Sequence, residues 1–105
     1  MKYKSDITKP AELDIAEAVR YIAIELRNLT AANNLLDDIE KAVESLNKMP
    51  KRYPLVKDEF LASLGFRFMP VNNYLVFYIV RDEKKTVTVE RVLHSRRNWS
   101  YMLTT

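Results

Sequence analysis

The residues of this chain best suited to chemistry lie near its C-terminal end, in the run His94-Ser95-Arg96-Arg97-Asn98-Trp99-Ser100-Tyr101. Two dense apolar runs precede it, Tyr74 to Val80 and Val87 to Leu93. Bulky residues at strand spacing, followed by clustered cations and rings, describe a small sheet that displays a basic face. Such a face suits an anionic partner. His94 is the only histidine. Beside two arginines it is a candidate base or neutral donor, with a partly exposed structural histidine as the alternative. Arg67 interrupts an apolar strand, where an unpaired cation is costly. A pairing with Glu90 across the sheet is its structural alternative. Trp99 and Tyr101 read more simply as anchors, with Met102 and Leu103, of a short C-terminal helix.

These side chains need a scaffold, and the composition bounds what it can be. A chain of 105 residues, 48% hydrophobic with one glycine, is long enough for one core and is expected to be one domain spanning residues 1–105. The absence of cysteine excludes disulfides, thiolate metal sites and thiol nucleophiles. No motif implies a cofactor or a metal. No apolar run approaches membrane-spanning length, and Met1 to Asp6 lacks a signal peptide's apolar segment. A cytoplasmic protein without a membrane partner is expected. Residues 1–50 carry 7 Lys/Arg against 9 Asp/Glu, whereas residues 51–105 carry 10 against 5. An acidic half is thus joined to a basic half.

The pattern predicts an α+β fold of order β-α-α-β-β-β. Its antiparallel sheet has about four strands, with an N-terminal helical hairpin on one face and a short helix at the C-terminus. Met1 to Ile7 alternates as a strand, and Thr8 and Pro10 mark a helix start. Leu13, Ala16, Val19, Ile22, Ala23 and Leu26 recur at helical spacing to about Asn28. Thr30 is the expected cap of a second helix, striped by Leu35, Leu36, Ile39, Ala42, Val43 and Leu46. Met49 to Pro54 opens a loop that is expected to run to about residue 62.

Strands are expected over Leu64–Val71, Tyr74–Arg81 and Lys85–His94, with turns at Asn72-Asn73 and Asp82-Glu83-Lys84. This register places Arg67 opposite Tyr78 and Tyr78 opposite Thr88. Period-two alternation then puts Phe66, Phe68, Leu75, Phe77, Ile79, Val87, Val89 and Leu93 on one face, expected beneath the hairpin. Arg91 is an exception on that face. Arg67, Met69, Tyr74, Val76, Tyr78, Thr88, Glu90, Val92 and His94 form a mixed face, where ligand contact is expected.

In this order, several segments resemble the RelE/ParE superfamily of toxins from bacterial type II toxin–antitoxin modules. They are Leu29 to Ala32, Leu46 to Pro54, Gly65-Phe66-Arg67, Asn73 to Tyr78 and Arg91 to Trp99. The resemblance implies a toxin held inactive by a cognate antitoxin. Of two targets it leaves open, the expected one is ribosome-bound mRNA, cut by a ribosome-dependent endoribonuclease, and the alternative is DNA gyrase, poisoned without catalysis. A degenerate toxin that only binds antitoxin or nucleic acid is a third possibility.

Metal-independent RNA cleavage needs a base for the ribose 2′-OH, a cation for the phosphorane and an acid for the leaving oxygen. By resemblance, Arg67 matches the arginine of the family's Gly-x-Arg, and Arg96 that of its C-terminal motif. His94, Tyr101 or Glu90 would move protons. Lys51, Arg52 and Arg97 would hold phosphates and Trp99 would stack a base, with Tyr78 in the same substrate surface. The chain departs from the ribonuclease members where Leu75 follows Tyr74, and it lacks their strand lysine pair and terminal His-Tyr. Mutation of Arg67, His94 and Arg96 is the expected test of the ribonuclease reading.

Overall fold

Thr8 starts the helical layer. The computed structural model describes residues 2–104, and in it the Thr8 hydroxyl accepts the Ala11 N–H at 3.2 Å. Pro10 sits in the first turn of α1 (Lys9–Arg20), where its missing N–H leaves nothing unpaired. The helical pattern continues past Arg20 as a π turn over Tyr21–Glu25, with the Leu26 N–H on the Tyr21 carbonyl at 3.2 Å. Asn28, not Thr30, caps α2 (Leu29–Ser45): its side-chain oxygen accepts the Ala31 N–H at 3.0 Å. Arg27 just before it has φ 51°, so the chain reverses ahead of the expected cap and Thr30 falls inside the first turn. α1 and α2 form the expected hairpin.

The sheet contains β1 (Lys4–Ile7), β2 (Phe66–Val71), β3 (Tyr74–Arg81) and β4 (Thr86–His94), in the order β1-β4-β3-β2. β1 joins β4 in parallel and the other pairs are antiparallel. The expected long loop also holds α3 (Glu59–Ser63), capped by the Asp58 carboxylate on the Leu61 N–H at 3.0 Å. α4 (Trp99–Thr104) closes the chain. No helix among the described residues is long and apolar enough to cross a membrane.

The β2–β3 register is the expected one. Val71 pairs with Tyr74 and Arg67 with Tyr78, and Asn72 supplies the positive φ of 55° that the short turn needs. The β3–β4 register differs. Arg81 pairs with Thr86, so the turn has four residues, Asp82 to Lys85, and Lys85 takes φ 51° to close it. Tyr78 therefore faces Val89 instead of Thr88, and a bulge at Phe77/Tyr78 shifts the register again so that Phe77 faces Arg91. One residue of shift moves Val87 and Val89 to the opposite face.

The two faces are also covered the other way round. The hairpin, through Ala11, Ala18, Leu35, Ile39, Val43 and Leu46, packs on Met69, Val76, Tyr78, Val87, Val89 and Val92. The ring-rich face of Phe66, Phe77 and Leu93 lies beneath Val56, Leu61 of α3 and Trp99, Met102 and Leu103 near the C-terminus. Part of the expected mixed face can be buried because the tips of Tyr78 and Arg67 reach backbone carbonyls, which the sequence pattern does not display.

Candidate functional site

The polar side chains gather at two opposite ends of the sheet. At the first end, the segment after α2 makes a 3-10 turn over Pro50–Arg52 and lies along the free edge of β2, where Leu55 bridges Arg67. Three of its carbonyls are held by neighbouring strands. The Tyr78 hydroxyl donates to the Pro50 carbonyl at 2.6 Å. The Arg67 guanidinium donates to Tyr53 at 2.7 Å and to Lys51 at 3.4 Å. Tyr78 itself is fully buried. Burial pushes its hydroxyl up to about 12, while the nearby Arg67 cation pulls the other way.

Tyr78 is thus a core residue that holds a loop, a correction to its expected place on an open substrate face. The alternative pairing of Arg67 with Glu90 is also replaced, because Glu90 lies 3.7 Å from Arg81.

The same loop is tied from outside. Lys51 Nζ and the Tyr3 hydroxyl both donate to the Asp82 carboxylate, at 2.7 and 2.8 Å. These hydrogen bonds, Lys51's first, lower the Asp82 pKa, and the bond to Asp82 raises that of Tyr3. Arg52 reaches back to the Ser45 hydroxyl at 2.6 Å and lies 5.2 Å over the Tyr53 ring. Lys51 and Arg52 remain exposed.

At the other end, His94 meets Tyr74 edge to face at 5.2 Å. Its Nδ1 accepts the Arg96 backbone N–H at 3.2 Å, which leaves Nε2 to carry the proton of the neutral ring. A cleft of about 340 Å³ opens here between α1 and β4, with Glu17, Tyr21, Tyr74, His94 and Arg97 among its lining. Tyr74 is raised, by burial first and then by Tyr21 and Glu17.

Arg96 and Arg97 are exposed, and neither is in an ion pair among the described residues. Trp99 lies 5.3 Å from Phe77 and packs in the second core cluster, the anchoring position expected of it. Tyr101 is 65% exposed.

The structure therefore brings Lys51, Arg52, Arg67 and Tyr78 together, and separately His94, Arg96 and Arg97. It does not join the two groups. Arg67 pairs with Tyr78 and His94 with Tyr74. They are roughly 13 Å apart along β3 and two strand spacings of about 4.8 Å apart across the sheet.

One polar element escaped the sequence reading: the fork in which Arg91 donates to Asp14 at 2.7 and 2.9 Å, while Asp14 also takes the Val92 N–H at 3.0 Å. That hydrogen bond and the Asp14 charge raise Arg91, against partial burial. Its signal was Arg91 itself, a cation on an apolar face, which demanded a carboxylate from a covering helix.

A family model described as the ParE toxin of the type II toxin–antitoxin system parDE matches residues 6–99. Among solved structures, the chain is similar to one from the chromosomal ParDE toxin–antitoxin system of P. aeruginosa. That match has 14% identity and TM-score 0.72, covering 89% of this chain and 96% of that one. A chain of the RelBE2 toxin–antitoxin complex from Mycobacterium tuberculosis shares 27% identity at TM-score 0.58, over 90% of this chain and 99% of that one. The isolated E. coli RelE toxin shares 18% at TM-score 0.56, over 97% and 94%. No curated protein matches.

Proposed function

The chain belongs to the ParE toxin family of type II toxin–antitoxin systems, and from that premise we propose that it stops growth by binding DNA gyrase, not by cutting RNA. One observation carries this reading: Arg67, the strand cation expected at the phosphorane, lies at the opposite end of the sheet from His94 and Arg96. Base, acid and cation must all lie within hydrogen-bond reach of the reacting atoms. Arg67, the strand cation suited to the phosphorane, is instead engaged with the Tyr53 and Lys51 carbonyls.

The hairpin tip supplies a surface of the kind protein targets use. Tyr21, Ile24, Leu26 and Leu29 are 53%, 61%, 57% and 67% exposed there. A cognate antitoxin is the natural second partner, because the similar ParDE and RelBE2 chains come from toxin–antitoxin systems. The observation favouring a ribonuclease is the second end itself, where His94 and Arg97 share one cleft with Tyr74. Arg96, whose backbone N–H meets His94, would be its helper.

Pulse-labelling of DNA and protein synthesis after the chain is induced alone separates the readings. DNA synthesis is expected to fall first, with supercoiling by purified gyrase inhibited in parallel. His94→Ala should keep both effects, and Leu26→Asp with Leu29→Asp should lose them. An immediate fall in protein synthesis with DNA synthesis sustained would overturn the proposal and make His94 and Arg96 the catalytic candidates.

A further inference from the structure

Three segments distant in sequence are knotted together at the first end of the sheet. The Tyr3 N–H donates to the Asn47 carbonyl at 2.8 Å, and the Lys4 N–H to the Lys85 carbonyl at 2.9 Å. Tyr3 and Lys51 share the Asp82 carboxylate. Residues 2–4, 47–52 and 81–85 contain eight Lys/Arg and two Asp/Glu, a net charge of +6, whereas the remainder of the chain nets −3. Half of the Lys/Arg of the C-terminal half are therefore concentrated in space, joined by Lys2, Lys4 and Lys48 of the acidic half.

We infer that this end of the sheet is a contact surface for the phosphate backbone of duplex DNA. Asp82 neutralises Lys51, and Glu90 lies beside Arg81. Lys2, Lys4, Lys48, Lys84 and Lys85 are exposed and enter no ion pair among the described residues. The surface is held in place before any ligand arrives, because the carbonyls of Pro50, Lys51 and Tyr53 are clasped by Tyr78 and Arg67. Arg67 acts here as a positioning residue.

Single strands are held chiefly by stacking of bases on free rings. The two rings here already carry cations, Lys85 at 5.4 Å over Tyr3 and Arg52 at 5.2 Å over Tyr53. A surface of lysines without free rings matches a dense phosphate array, and duplex DNA carries one charge per about 1.7 Å of axis. The helical structure in these segments is limited to single 3-10 turns at Pro50–Arg52 and Asp82–Lys84, too short to read a groove, so binding is independent of sequence. The inference holds whichever macromolecule the toxin inhibits.

The test is fluorescence anisotropy of a labelled duplex of about 20 base pairs, titrated with the full chain across a salt series. At about 0.15 M salt the Kd is expected near 10⁻⁵ M, on the order typical of non-specific binding, and tighter as salt is lowered. About four phosphate contacts give a slope of log K against log salt of roughly −3.6. Lys84→Glu with Lys85→Glu should weaken binding at least tenfold and make the slope shallower by about 1.8. Lys4→Glu with Lys48→Glu repeats the loss from other segments if the first pair fails to fold.

Arg20→Glu with Arg27→Glu changes the charge equally, next to the cleft at the far end, and should leave the affinity within twofold. An equal loss in that control would reduce the effect to net charge and overturn the inference. So would absence of binding at the lowest salt, or binding of a single strand or of polyglutamate as tight as that of the duplex.

Discussion

The two ends of the sheet carry similar side chains and use them differently. At the loop end, Arg67, Arg52, Lys51 and Tyr78 each have a partner within the chain, at 2.6 or 2.7 Å. At the tail end, Arg96 and Arg97 extend into solvent, and His94 is held by one backbone N–H. An arginine's type and position in a motif do not say whether it holds the fold or meets a ligand; its partners do. Arg67 looked like the best catalytic cation because it interrupts an apolar strand, yet that setting is what obliges it to bind the loop.

The sharpest way to break this contrast is to remove the clasp. Tyr78→Ala empties a fully buried ring site and should cost about 4 kcal/mol by urea unfolding. Tyr78→Phe keeps the packing and should cost about 1–2 kcal/mol, because the Pro50 carbonyl loses its donor. The same hydroxyl gives a pH signature. Its folded pKa is raised from 10.0 to about 12, so its contribution is complete below pH 10 and is lost as pH rises through about 12. Wild-type protein should lose stability across that window more steeply than Tyr78→Phe.

Arg91→Ala comes next, at about 2–3 kcal/mol, because it leaves Asp14, 11% exposed, without its guanidinium. A change below 0.5 kcal/mol would mean that solvent already screens the fork. Arg67→Ala should cost about 1–2 kcal/mol and speed amide exchange over residues 50–54. Arg67→Lys should recover only part of this, since one ammonium cannot replace the planar fork.

The smallest effect belongs to the tail. Arg96→Ala and Arg97→Ala should each stay within about 0.5 kcal/mol of wild type in the same unfolding assay. If either destabilises as much as Arg67→Ala, the two ends are alike and the contrast fails.

Much of this fold was legible because it is specified locally. Thr8 with Pro10, the apolar stripe of α2 and the Asn72-Asn73 turn each act within a few residues, and each appears close to where its pattern lies. The cap at Asn28 was missed because two eligible residues stood two apart and the chain reversal at Arg27 decided between them. The grouping of Lys51 with Arg67 was unreadable for another reason. It depends on a loop folding back along β2, and no period in the sequence encodes that path.

The sequence by itself determined the element order apart from α3, the β2–β3 register and the family, since propensity, turn chemistry and strand alternation are short-range. Only the tertiary structure decided which face the helical hairpin covers, and so which polar residues are buried. A four-residue turn reversed the side on which Val87 and Val89 lie. The hydroxyl of Tyr78 and the guanidinium of Arg67 found their acceptors in a loop 28 and 14 residues away. Those contacts depend on where distant segments meet, which is why one set of cations became scaffold and another stayed free to bind.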